Sequence, residues 1–146
     1  MTVKPIPDGY HTVTPYLVVR DPASLIEFLR QVFNATGIEC TELPDGRIMH
    51  AEVRIGDSIV MTGGANDDYP PMPAMLHLYL EDTDAVYQRA MADGATSLQE
   101  PEDQFYGDRT AGFQDEFDNQ WWLATRIEDL SFEEIQRRAE VQAQQG

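Results

Sequence analysis

The sequence predicts an α+β fold of two tandem βαβββ modules, and three observations carry that reading. Short alternating runs rich in β-branched residues are bounded by turn signals along most of the chain. Helical periodicity is confined to three segments. The order of elements also occurs twice. TPYLVVRD (14–21) lies over MLHLYLED (75–82) at an offset of 61, and GDSIV (56–60) lies over DNQWW (118–122) at an offset of 62. Two units of one length and one order form an internal repeat.

Residues 12–19 alternate and read as the first strand. Asp21 then supplies an N-cap and Pro22 the first helical position, where a missing N–H costs nothing. Leu25, Phe28, Leu29, Val32 and Phe33 fall at i, i+3, i+4, i+7 and i+8, one apolar stripe ending near residues 34–37. A short strand over 38–43, a turn at Pro44-Asp45-Gly46 and a strand over 47–55 follow. In that strand Met49, Ala51, Val53 and Ile55 share one face, and His50, Glu52 and Arg54 share the other, which reads as a solvated face. Gly56-Asp57 turns the chain into a fourth strand, 58–62. Residues 63–74, rich in Gly, Pro and Asp, read as a linker. The pattern then restarts with a strand over 75–80. Asp82 caps a helix carrying Val86, Tyr87, Ala90 and Met91 and closed by Gly94. Strands over 96–99, 108–113 and 120–125 complete the repeat, the last after a turn at 116–119. Ser131 and Glu134 form a capping box that opens a final helix through Phe132, Ile135 and Ala139, with a frayed end. The expected organisation is one domain, 1–126, with modules 12–62 and 75–125, and a helical tail, 127–146.

Charge narrows the partners. With 26 acidic and 10 basic side chains the net charge is −16, which repels phosphate backbones and anionic membrane surfaces. Two accounts of that acidity stand side by side, a solubility device and a field that attracts a cationic ligand. No run reaches the ~18–20 apolar residues of a membrane span, and the N-terminus lacks a secretory signal. Cys40 is the single cysteine, which excludes an intrachain disulfide and a cysteine-based zinc site. No phosphate-binding glycine motif and no GxSxG nucleophile motif occurs. The chain reads as a soluble, cytoplasmic protein whose partner is neither nucleic acid nor membrane.

The strand-Asp-Pro-helix opening and the DxxxN turn before the last strand resemble the vicinal oxygen chelate superfamily, which includes glyoxalase I, extradiol dioxygenases and bleomycin-resistance proteins. The segments TPYLVVRDP (14–22), DGRIMHAEVRIGDSIVM (45–61), LHLYLEDTDAV (76–86) and FYGDRTAGFQDEFDNQWW (105–122) are most similar to its PhnB-like, glyoxalase/bleomycin-resistance branch. The resemblance implies that each module curls its sheet into a half-open cup, that the cups enclose a cavity, and that the protein is a homodimer. It also implies metal ligands at the start of each module's first strand and late in its last strand. Those positions fall on Thr14, Val60, Met75 and Trp122, none a credible ligand, so no cofactor is expected. A displaced divalent metal site would use His77, His50 and Glu52, and would make the protein a metal-dependent lyase, isomerase or dioxygenase instead of a binder.

Strand alternation sorts the remaining candidates. Leu17 and Val19 face the helix, which leaves Thr14, Tyr16 and Val18 toward the cup. Leu76, Leu78 and Leu80 likewise leave Met75, His77 and Tyr79. The expected pocket is formed by Tyr16, Met75, His77, Tyr79, Tyr106 and Trp122, with Thr14 and Arg109 beside it. Its ligand is a small aromatic or cationic molecule, stacked on the rings and oriented by His77 and the tyrosine hydroxyls. Several of these residues have plainer roles open to them. His77 suits a half-buried strand position, the aromatics around Tyr106 suit a module junction, and Arg109 suits a surface pair with Asp108 or Asp115.

Overall fold

Strand alternation decides which side of a sheet is buried, and a helix settles on that side. The computed structural model describes residues 2–145, and the chain divides into two compact units, Met1–Ala74 and Met75–Gly146. The first holds β1 (Tyr16–Val19), α1 (Pro22–Phe33), β2 (Thr36–Glu42), β3 (Ile48–Ile55) and β4 (Ser58–Gly64). The second holds β5 (Met75–Tyr79), α2 (Thr83–Ala92), β6 (Thr96–Asp103), β7 (Asp108–Gln114), β8 (Gln120–Arg126) and α3 (Phe132–Gln145). Each unit is a four-stranded mixed sheet, ordered β1-β4-β3-β2 in one and β5-β8-β7-β6 in the other. In both, the first strand runs parallel to the last and the remaining pairs are antiparallel. The fold is α+β, as expected.

In the first unit Asp21 caps α1 by accepting from the Ser24 N–H and hydroxyl, and Asn34 ends the helix in the left-handed region at φ 56°. Leu25, Leu29 and Val32 on α1 are fully buried, as are Leu17, Val19, Ala51 and Val53 on the strands beneath. Each of these leucines and valines contributes about 1.5–3 kcal/mol by leaving water. Thr62, a polar residue among them, is satisfied: its hydroxyl donates to the Leu17 carbonyl at 2.8 Å. The opposite face of this sheet carries Tyr16 and Val18 on β1, Met61 and Gly63 on β4, and His50 and Glu52 on β3.

Several boundaries differ from expectation. β1 begins at Tyr16 rather than residue 12, because the preceding Pro15 has no N–H for the ladder, although its carbonyl accepts from Met61. β4 runs on through Gly63 and Gly64, which pair with Val18 and Val19. The linker is also more ordered than its composition suggests. The Asn66 side chain accepts from the Asp68 and Tyr69 N–H groups at 2.9 and 2.8 Å, and Met72 bridges to Val18 on the outer edge of β1. β6 extends to Asp103, with Pro101 in the interruption of its ladder, which an edge strand tolerates. α3 reaches Gln145, past the point where fraying was expected.

The second unit repeats the plan. Asp82 caps α2 by accepting from Ala85, and Val86, Tyr87 and Ala90 are buried with Ala111, Phe113, Trp121 and Leu123. The turn between β7 and β8 is longer than the two-residue turn at Gly56-Asp57, and Asp115 organises it. Its carboxylate accepts from the Phe117 and Asn119 N–H groups, the Asn119 side chain and the Trp121 indole, all within 3.0 Å. This longer turn corrects the repeat register. Tyr16 pairs with Met61 as His77 pairs with Trp122, so the offset is 61 on β4 as well. The first-module counterpart of Trp122 is therefore Met61, whereas Val60 is 5% exposed on the helix-bearing face.

α3 is held to the second unit by polar contacts. Arg138 donates to the Phe105 carbonyl at 3.2 Å and pairs with Glu128 and Glu134, and the Ser131 hydroxyl caps the helix as its box predicted. Hydrogen bonds from Arg137 and Arg138 pull the Glu134 carboxyl down to about 2. A depressed carboxylate stabilises the fold above its unfolded value and loses that contribution as pH falls through its folded one. Amide protection of residues 135–139 is thus expected at pH 6 and lost near pH 2, and Glu134→Gln should lower it at pH 6. Asp115→Ala strips four buried donors of their acceptor, and we expect a loss of about 3 kcal/mol or more in urea unfolding.

Candidate functional site

A cleft of about 1010 Å³ opens on the first unit. Four pieces of chain wall it: the open face of β1 and β4 at Tyr16, Val18 and Gly63, the start of α1 at Pro22, the hairpin loop from Leu43 to Met49, and the linker at Ala65, Asn66 and Tyr69. The glycine is what lets Tyr16 lie flat, because a Cβ at Gly63 would run into the phenol oxygen. Tyr69 is presented by the Asn66 turn, so its position follows from two side-chain-to-backbone hydrogen bonds rather than from a strand. Charges at the rim are mostly engaged. Asp21 caps α1, and Asp45 accepts from the Arg47 backbone N–H at 3.0 Å and holds its guanidinium at 2.7 Å, which together keep the Asp45 carboxyl below the usual range. Aromatic and apolar surface therefore dominates.

A polar chain leads from this cleft into the sheet. The Tyr16 hydroxyl lies 3.1 Å from His50 Nδ1, and the rings stand 5.6 Å apart. His50 Nε2 lies 3.5 Å from Glu52 Oε1, and the other Glu52 oxygen accepts from the Tyr10 hydroxyl. Glu52 is only 6% exposed, which corrects the expectation of a solvated face over His50, Glu52 and Arg54. Tyr10 and His50 screen its carboxylate from water. The bond to Glu52, with burial, pushes the Tyr10 hydroxyl up to about 12, so it stays a donor. Among the described residues no buried side-chain oxygen or nitrogen lacks a partner.

The other expected site residues sit elsewhere. Thr14 lies before β1, where its hydroxyl reaches the His11 carbonyl at 3.4 Å. Met75, His77 and Tyr79 alternate on the open face of β5, all exposed, with the His77 and Tyr79 rings 5.1 Å apart. His77 is thus not the half-buried strand residue that its leucine neighbours suggested, because the leucines face the helix. The Tyr79 hydroxyl reaches Asp108 at 3.3 Å, and the charge on Asp108 pushes it up. Trp122 lies across Gly112, and Tyr106 packs edge-on against Phe105 at 5.2 Å, raised by burial and by Asp108. Arg109 belongs to the other face. It pairs with Asp84 on α2 at 3.0 Å and with Asp103 at 2.9 Å, not with Asp108 or Asp115, so it ties helix to sheet. Of the eight expected residues, the cleft contains Tyr16 alone. Tyr69 and Met49, not among the expected residues, also line the cleft. Met49 shares the parity of Ala51 but stands at the strand's end, beyond the cover of α1, where it is 51% exposed.

The paired sheets and their open faces have a counterpart among known families. The family model for the Glyoxalase/Bleomycin resistance protein/Dioxygenase superfamily matches residues 10–123. The chain belongs to that superfamily. An uncharacterised protein of Mycobacterium bovis is 36% identical over 138 residues, covering 85% of this chain and 89% of that one. Among solved structures, FosX of Listeria monocytogenes, a fosfomycin resistance protein crystallised with Mn(II) and sulfate, is 18% identical with a TM-score of 0.64, covering 88% of this chain and 97% of its own. TnmS3, an antibiotic binding protein from Streptomyces sp. CB03234, is 21% identical with a TM-score of 0.64, covering 80% and 95%. These two likenesses speak to the fold.

The superfamily's metal positions, as the resemblance implies them, map onto four residues of this chain. In the corrected register they carry Thr14, Met61, Met75 and Trp122: a lone hydroxyl, two thioethers and an indole. That set does not fit a hard divalent cation, which needs carboxylate or imidazole donors. The displaced set His77, His50 and Glu52 is also corrected, since among the described residues no group of three or more His, Cys, Asp and Glu side chains gathers as a metal site. His50 and Glu52 are committed to Tyr16 and Tyr10 instead. No helix among the described residues is long and apolar enough to cross a membrane. On the second unit's open face, a Cβ at Gly112 would come within 2.6 Å of the Trp122 ring. Gly112→Ala should therefore cost about 1–3 kcal/mol by overpacking and expose the indole, read by thermal unfolding and by quenching of tryptophan fluorescence.

Proposed function

We propose that this member of the superfamily binds a small, flat, aromatic or cationic molecule in the cleft of the first unit, without metal chemistry. The observation that carries the reading is the cleft itself: two tyrosines, Tyr16 and Tyr69, line it with apolar surface from Val18, Pro22 and Met49, alongside the charged Arg20, Asp21, Asp45 and Arg47. Such a wall binds by burying and stacking a planar ring, while a few polar groups set its orientation. The net charge of −16 favours a cationic ring on approach. The donor set at the superfamily's metal positions points the same way, toward holding a molecule rather than polarising one. The open face of the second unit offers comparable stacking surface at His77, Tyr79 and Trp122, and the same reading extends to it.

Fluorescence titration with acridine orange, a planar cation, tests the proposal. Saturable binding is expected. Tyr69→Ala should weaken it about fivefold to tenfold by removing one stacking wall, and Met49→Ala should weaken it less. Affinity that ignores both substitutions contradicts the placement.

A further inference from the structure

The polar chain behind Tyr16 has a direction, and the direction specifies a ligand. A carboxylate only accepts hydrogen bonds, and Glu52 turns one oxygen to Tyr10 and the other to His50 Nε2. A neutral imidazole carries one proton, and the carboxylate 3.5 Å from Nε2 favours the tautomer that holds it there and leaves Nδ1 as an acceptor. In that tautomer the Tyr16 hydroxyl, 3.1 Å away, donates inward to Nδ1. Tyr16 lines the cleft, and a phenol has one proton to give, so with that proton on His50 the Oη has only lone pairs to offer a ligand.

We propose that the cleft selects flat aromatic molecules that donate an N–H hydrogen bond to Tyr16 Oη, that is, aryl amines, and that Glu52 and His50 are positioning residues which set this preference. The inference rests on the cleft being the binding site and adds the ligand's functional group. A molecule offering an acceptor at the same place meets lone pair against lone pair, and a methylated amine offers nothing. The buried Glu52 carboxylate at the far end of the chain adds a negative potential that suits a donor on a cationic ring.

Proflavine and acridine orange separate the two claims. They share a three-ring cation, but proflavine carries free amino groups where acridine orange carries dimethylamino groups. Wild type should bind proflavine about tenfold more tightly, the size expected for one well-placed hydrogen bond in a shielded site. Tyr16→Phe should remove that preference by weakening proflavine binding more than acridine orange binding, and a wild-type circular dichroism spectrum and thermal unfolding report that the variant is folded. Glu52→Gln, whose amide can donate to His50 and let the chain reverse, should shrink the ratio of the two affinities, in which the charge lost to both cations cancels. A purely structural role for Glu52 would lower both affinities together and leave their ratio as in wild type. Equal affinity of wild type for the two dyes overturns the inference while the cleft reading stands. A preference that survives in Tyr16→Phe is steric and overturns it as well. Binding of neither dye overturns the cleft reading on which it rests.

Discussion

Both units depend on one packing event, the seating of an amphipathic helix on a single face of a four-stranded mixed sheet. Leu25, Leu29 and Val32 on α1 meet Leu17, Val19 and Val53, and Val86 and Ala90 on α2 meet Ala111, Phe113 and Leu123. Because strand side chains alternate, burying one set commits every second residue to the opposite face. Tyr16, His50, Glu52 and Gly63 in one unit and His77, Tyr79, Gly112 and Trp122 in the other are where they are for that reason. The helix side supplies stability, and the open side is left to carry chemistry.

The open faces share a second device. On each, a glycine lies under a large ring, Gly63 under Tyr16 and Gly112 under Trp122, so that the ring spans a neighbouring strand instead of standing off it. In the first unit that posture brings the Tyr16 hydroxyl to His50 and starts the chain that ends at Glu52 and Tyr10. A carboxylate this deep is costly unless it has partners, and it has the Tyr10 hydroxyl as a donor and the His50 ring 3.5 Å away. Residues that suggest a metal site in sequence therefore make a chain of polar contacts in space.

Much of this was legible in the residues themselves. Alternation, the Asp21 and Asp82 caps and the repeated strand-Asp-helix opening led to the element order, and the facing of Leu17 and Val19 followed from period two. What escaped had physical causes. The offset of 62 aligned two turns of different length, and the longer one is built on Asp115, whose four partners no local pattern reveals. Gly63 and Gly64 read as a break because their pairing partners lie 45 residues away, on β1. The burial of Glu52 depends on Tyr10, which lies before the first strand, and the role of Tyr69 depends on a turn made by Asn66. Arg109 was placed by the strand it occupies and misjudged by its partners, which come from α2 and β6.

The central claim is that the cleft beside Tyr16 is where a small molecule is held. Methionine methyl NMR addresses it most directly, because Met49 lines that cleft while Met91 sits on α2 in the other unit. On titration with a planar aromatic cation the account predicts a saturable shift of the Met49 methyl and none of Met91. Saturable binding that leaves the Met49 methyl where it was would contradict it.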